Sequence, residues 1–359
     1  MTTRNQTRSL KVGPVPVGGG APVSVQTMLN DDPHDLDALV RSAAECAAAG
    51  ADVVRLTVPD VRAAEILGEV RRRTGVPLVA DIHFDYRCAL AAIAAGTDAL
   101  RLNPGNIGGQ DRVREVARAA KAKRIPIRVG VNLGSLERDL DAMVRAKTLS
   151  VADALCESAL RHLALLEAED FRDVVISVKA SNVADTLAAY RRLAERTDCP
   201  LHIGLTEAGT FLRGTVHSSV ALGILLSEGL GDTIRVSLTD RPAKEVKVGL
   251  EILRALGLRA PGPSVTSCPT CGRTRVDIRA TAEAIEDALS KLAKPGSDLP
   301  HVAVMGCAVN GPGEAKGADI ALCGGIGEFL LYERGRLVRK LPESEAVSAV
   351  VECVRTWIS

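Results

Sequence analysis

The sequence predicts a (β/α)8 barrel over residues 1–258 followed by a small α+β domain over residues 259–359. Three observations predict it. Short β-rich runs alternate with alanine-rich helical stretches eight times up to residue 257, the number and length of such a barrel. The stretch APGPS at 260–264 then breaks the pattern as a linker does. Beyond it the alternation does not resume.

In chain order the strand-like runs are PVSVQT, ADVVRLTV, PLVADI, ALRLNP, PIRVGV, DVVISVK, LHIGL and TIRVSL. The intervening stretches, such as VRAAEILGEVRRRTG, end in glycine or near a proline, as helix terminators should. A doubly wound open sheet is the alternative architecture. It has fewer strands and opens on a glycine-rich turn, which VQTMLNDD is not. Past the linker, the pattern predicts a helix near 277–293 and a strand at Val302 to Met305. A strand or hairpin pair should follow through ADIALCGG and EFLLYERGRLVRKL, and an amphipathic helix over 344–357.

Hydrophobic residues make up 46% of the chain and charged residues 25%, as in an ordinary globular protein. The formal net charge of +1 gives no support for a nucleic-acid or acidic-membrane partner, and 2% aromatic residues leave little for base stacking. No apolar run is long enough to span a bilayer. The first residues, MTTRNQTRSLKVG, lack an apolar core of a secretion signal, so the expected location is the cytoplasm. Nine cysteines in that reducing setting read as buried thiols plus a metal site rather than disulfides.

Active sites of such barrels form where the strands end. Four runs carry an arginine in the same apolar frame: Arg55, Arg101, Arg128 and Arg235. A fifth carries Lys179. Buried arginines need partners. Five converging cations call either for a multiply charged ligand, phosphate oxygens matching guanidinium forks, or for nearby acids such as Asp81 and Glu207. Asp81 and His83 stand two apart, on one side of an extended strand. Asn103 follows Arg101 and Asn132 follows Arg128, adding hydrogen-bonding capacity. Glu207 ends LHIGLTEAG and can act as a general acid or base if burial raises its pKa.

Cys268 and Cys271 form a C-x2-C pair, and Cys307 supplies a third thiol at the end of the Val302 to Met305 run. Zinc would want a second pair, which is lacking. Three thiolates suit iron–sulfur ligation, which wants a fourth ligand. Glu314 is one candidate, harder and more exchangeable than a thiolate. Cys323 is the alternative; His301 and Cys323 are the only nearby stand-ins for the second pair that zinc would want. Cys46, Cys88, Cys156, Cys199 and Cys353 read as small buried hydrophobes.

Ten segments together resemble the 4-hydroxy-3-methylbut-2-enyl diphosphate synthases, iron–sulfur enzymes of the non-mevalonate isoprenoid pathway. They are VQTM, VRLTVP, VADIHFDYR, RLNPGNIG, RVGVNLGSL, SVKASN, LHIGLTEAG, IRVSLT, SCPTCGRT and MGCAVNGPGEA. The resemblance covers essentially the whole chain. It implies a [4Fe-4S] cluster on Cys268, Cys271, Cys307 and Glu314. It also implies reductive opening of 2-C-methyl-D-erythritol 2,4-cyclodiphosphate, with electrons from flavodoxin or ferredoxin. The family is a homodimer in which one chain's cluster domain caps its partner's barrel. Position by position, Arg55, Arg101, Arg128, Lys179, Arg235 and Ser237 would hold the diphosphate. Asp81, His83 and Asn132 would orient it, and Glu207 would handle protons. NLGSL and VQTMLN depart from the family's usual NAGSL and QSMTN. Plant relatives carry a large extra domain that has no counterpart here.

Overall fold

The computed structural model describes residues 4–260, 264–292 and 299–358. They fall into two compact units, one ending at Arg259 and the other beginning at Ala260. Most of the APGPS linker lies outside the described residues.

The first unit opens with a hairpin, β1 (Leu10–Val12) and β2 (Val15–Val17), absent from the sequence expectation. Eight strands follow: β3 (Ser24–Met28), β4 (Val53–Thr57), β5 (Leu78–Asp81), β6 (Ala99–Leu102), β7 (Ile127–Asn132), β8 (Val174–Lys179), β9 (His202–Ile203) and β10 (Thr233–Ile234). All pair in parallel, in the order β8-β7-β6-β5-β4-β3-β10-β9. A parallel bridge from Ile176 to Leu201 joins β8 to the chain entering β9, closing the barrel. The expected (β/α)8 barrel is therefore present.

Local chemistry sets the helix starts. The side chains of Asp35, Asp60 and Asp85 accept from the backbone N–H of Ala38, Ala63 and Arg87, satisfying donors that the first turn leaves free. Gly75 and Gly96 take the left-handed conformation that ends two of the helices. A short helix at Arg138–Arg145, which the sequence pattern did not predict, precedes the long helix Val151–Glu167.

Alternation along the strands sorts the lumen into layers. At its N-terminal end Val53, Val79, Ala99 and Val175 pack against Leu10, Val12 and Val17 of the hairpin. Further along, the inward positions turn polar, beginning with Gln26 and Arg128.

The second unit is a five-stranded sheet in sequence order. It comprises β11 (Val265–Ser267), β12 (Val302–Met305), β13 (Ile320–Gly324), β14 (Glu328–Glu333) and β15 (Arg336–Pro342). The first three are parallel, and β14 pairs antiparallel with both β13 and β15. Helices Ile278–Leu292 and Ala346–Ile358 cover one face, over Val302, Val304, Ile320 and Leu322. On the other face, Ala303, Met305, Ala321 and Cys323 pack beside Ala315. No helix of the described residues is long and apolar enough to cross a membrane.

Candidate functional site

The structure brings Arg55, Arg101, Arg128, Lys179 and Arg235 into the barrel interior rather than onto its rim. Asp81, 3% exposed, stands 3.7 Å from Arg55 Nε and 3.2 Å from Arg101 Nη1. Burial alone would raise its pKa. Arg55, then Arg101, overcome that effect and hold it below the ordinary carboxylate range. Arg101 also donates to the Gly130 carbonyl at 2.6 Å. A Cβ on Gly130 would stand 2.6 Å from Arg101 Nε, so only glycine lets this side chain lie across β7. Arg128, 6% exposed, donates through Nη1 to Gln26 Oε1, while its Nη2 is buried without a partner.

Arg235 forms a pair with Glu245 at 3.3 Å. Glu245 comes from the helix Pro242–Ala255 and was not singled out in the sequence. Met28 Sδ lies 2.7 Å from Arg55 Nη2 and 3.8 Å from Arg235 Nη1. Lys179 Nζ is 3.5 Å from Nε2 of the fully buried His202. His202 Nδ1 in turn faces Thr233 Oγ1 at 3.3 Å.

Among the described residues, these five basic groups meet two carboxylates, Asp81 and Glu245. The imbalance is visible in their proton affinities. Burial, followed by Arg235 and Arg101 working against Asp81, lowers Arg55 to about 10. Burial and the neighbouring cations push Arg128 and Lys179 well below their ordinary values. Burial, then Arg128 and Lys179, keep His202 neutral. Such a chamber is suited to a multiply charged anion, which would relieve the repulsion and use the unpartnered Arg128 Nη2.

The remaining expected residues sit near the strand ends with different duties. Strand β5 stops at Asp81, so His83 lies beyond it, exposed, and does not share a strand face with Asp81; its ring is 6.1 Å from Phe84. Asn103 is buried, and its Oδ1 accepts from Gly130 N–H at 3.0 Å, bracing the end of β6 on β7. Asn132 ends β7, and its backbone N–H and carbonyl both meet Ser135 Oγ at 3.0 Å. Ser237 Oγ donates to the Leu205 carbonyl at 3.1 Å. Glu207 is exposed after β9 with a positive φ of 54°, a strain that functional loops often hold. Among the described residues it pairs with no arginine.

In the second unit, β11 and β12 run parallel and end side by side. Cys268 follows β11, and its N–H donates to the Val304 carbonyl at 3.1 Å. Cys307 follows β12, where the Gly306 N–H donates to Cys268 Sγ at 3.1 Å. The two loops touch closely: a Cβ on Gly306 would meet Thr274 Oγ1 at 2.6 Å and Cys268 Sγ at 3.2 Å. Thr274 Oγ1 accepts from Cys271 N–H at 3.2 Å, and Thr270 takes a left-handed φ of 64°, which folds the C-x2-C turn back on itself. The backbone N–H groups of Asn310 and Val309 are directed at Cys307 and hold its thiol below the ordinary value.

Glu314 closes a four-residue helix, Gly311–Glu314, and is exposed. Cys323 is fully buried on β13, and burial, then Cys307 and Glu314, push its thiol up to about 12. Its side chain is enclosed by Ala303, Met305, Ala315 and Ala321, whereas Glu314 is exposed. His301 precedes β12 and bonds Thr266 at 2.7 Å, at the far end of the strand from Cys307. Among the described residues no three of His, Cys, Asp and Glu close on one point as ligands of a single ion do. The Gly306 N–H bonded to Cys268 Sγ is the kind of contact that supports a thiolate ligand of an iron–sulfur centre. Cys46, Cys88, Cys156 and Cys199 are buried as expected. Cys353 is only half-buried, and its thiol donates to Glu333 at 3.3 Å.

Fold and site together define a parallel-barrel protein with a basic interior and an appended thiol-bearing domain. The GcpE TIM-barrel domain matches residues 7–250, and the GcpE protein C-terminal domain matches residues 264–356. The chain belongs to the GcpE family. A relative from Ruminiclostridium cellulolyticum is 50% identical over 349 residues, 97% of either chain. One from Geobacter sulfurreducens is 51% identical over 346 residues, 96% of either chain. Both are named 4-hydroxy-3-methylbut-2-en-1-yl diphosphate synthase (flavodoxin). A solved dihydropteroate synthase from Yersinia pestis is 15% identical with a TM-score of 0.48, over 69% of this chain and 97% of that one.

Proposed function

We propose that this chain is an oxidoreductase that opens 2-C-methyl-D-erythritol 2,4-cyclodiphosphate to (E)-4-hydroxy-3-methylbut-2-enyl diphosphate. One observation carries the reading within the chain: five basic groups face two carboxylates in a buried chamber. A cyclic diphosphate supplies the missing negative charge. Membership of the GcpE family and the names of its relatives supply the reaction. The net change takes up two electrons and a proton, breaks the ring carbon–oxygen bond to the diphosphate, forms the C2–C3 double bond and releases the C3 hydroxyl as water.

In this reading Arg55, Arg101, Arg128, Lys179 and Arg235 grip the diphosphate, with Ser237 beside them. Asp81 is the counter-charge of Arg55 and Arg101. Asn132 and His83 orient the hydroxyls, and Asn103 steadies the strand ends beneath them. Glu207, on its strained loop, delivers the proton near the reacting carbons. Cys268, Cys271, Cys307 and Glu314 would hold a [4Fe-4S] cluster. Such a cluster, when bound, supplies electrons one at a time. Flavodoxin, which the relatives' names specify, is the electron donor, with ferredoxin as the alternative. The working unit is a cytoplasmic homodimer whose cluster domain caps the partner's barrel. Sedimentation at twice the chain mass is the expected result.

The experiment is anaerobic turnover of the cyclodiphosphate with a reduced viologen dye, the product being identified by mass spectrometry. The expected outcome is the allylic diphosphate, made by brown protein that contains inorganic sulfide. Anaerobic protein free of sulfide, or intact cyclodiphosphate after reduction, defeats the proposal.

A further inference from the structure

Arg235 does not stand free in the lumen. Glu245, 4% exposed in the first turn of its helix, meets the guanidinium along one edge: Oε1 accepts from Nη2 at 3.3 Å and Oε2 from Nε at 3.4 Å. The same carboxylate is fixed from its other side. Oε2 accepts from Thr27 Oγ1 at 2.8 Å, and Oε1 accepts from the Leu238 N–H at 2.9 Å. Thr27 belongs to β3 and is fully buried. Leu238 is the residue after Ser237. One carboxylate thus ties a guanidinium, a neighbouring strand and the backbone next to Ser237 into a single unit.

We propose that Glu245 is a positioning residue that presets Arg235 and the loop through Ser237 for a diphosphate. The inference rests on the diphosphate reading of the lumen and deepens it. A guanidinium already held in plane loses less side-chain freedom when it grips an anion. A simple counter-charge would act in the opposite direction, because a carboxylate beside the site repels phosphate. The two roles therefore differ in sign. In Glu245→Gln the site becomes more positive. One amide oxygen is left for Thr27 or Leu238, and the amide N–H2 turns its donors toward the donors of Arg235.

The test is calorimetric titration of anaerobically purified full-length protein with inorganic pyrophosphate. Positioning predicts at least about tenfold weaker binding in Glu245→Gln, from the loss of a charge-assisted fork. It also predicts weaker binding in Glu245→Asp, which keeps the charge but withdraws it by one methylene. In an Arg235→Ala background the further effect of Glu245→Gln should shrink to less than about twofold, because the two residues act as one unit. Unchanged or tighter binding in Glu245→Gln, or full additivity with Arg235→Ala, overturns the inference while leaving the diphosphate site standing. If Glu245→Gln does not fold, Glu245→Asp decides: wild-type affinity there overturns it. Wild-type protein that does not bind pyrophosphate defeats the diphosphate reading itself and this inference with it.

Discussion

Replacing Asp81 by asparagine leaves five basic groups in the lumen facing Glu245 alone. The side chain keeps its shape and loses its charge. Its two pairs, at 3.2 and 3.7 Å, are each worth about 4–5 kcal/mol of Coulomb attraction at an effective dielectric near 20. Desolvation of the three ions offsets much of that. Removing one partner of such a buried group still costs about 3–5 kcal/mol, because the other charges stay buried without it. For a barrel of this size that lowers the melting temperature by roughly 6–20 °C. The loss should be partly reversible by a substitute anion. Pyrophosphate at about a hundred times its dissociation constant adds about 2.7 kcal/mol to any native state that binds it. At equal concentration it should raise the melting temperature of Asp81→Asn more than that of wild type. The assay is thermal unfolding of both proteins with and without pyrophosphate. A variant within about 1 kcal/mol of wild type, or an equal rise for both proteins, would show that Asp81 is not the counter-charge of this chamber.

Three further outcomes are expected. Gly130→Ala places a methyl 2.6 Å from Arg101 Nε and should displace that side chain, weakening pyrophosphate binding by roughly ten- to a hundredfold with the far-ultraviolet circular dichroism unchanged. Glu314→Ala should fold but lose iron and sulfide, whereas Cys323→Ala should keep both; iron and sulfide analysis of the two variants checks this. His202 has a folded pKa well below its unfolded value. Below pH 6.5 the unfolded chain therefore binds a proton that the native state refuses, and stability falls with pH by up to about 1.4 kcal/mol per unit for that group. Urea unfolding between pH 7 and 5 should show a shallower slope in His202→Gln.

The barrel was legible because each strand announces itself locally. VVRLT and IRVGVN carry β-branched residues in a two-residue rhythm, and the arginines interrupt that rhythm at inward positions. The hairpin at Leu10–Val17 was not legible: LKVGPVPV is short and proline-bearing, and it packs against a barrel floor formed by distant residues. β11 is a three-residue edge strand whose partner lies 37 positions away in register, Val265 against Val302. The candidate anion grip was readable residue by residue, but its supports were not. Glu245 lies on a helix and reaches Arg235 only once the barrel closes. A signal for it existed, an acid on the apolar stripe that carries Val246, Leu250 and Leu253. His202 had one too, since it occupies the frame that holds arginine in the neighbouring runs. Gln26 and Met28 had none beyond their inward parity.

The small N-terminal hairpin has a consequence out of proportion to its length. With Leu10, Val12 and Val17 wedged among Val53, Val79, Ala99 and Val175, the barrel is a cup with a sealed base. In the function proposed above, substrate and product would both pass the strand ends, opposite that base. A spent molecule must depart before a fresh one arrives, so the product should compete with the substrate for the free protein.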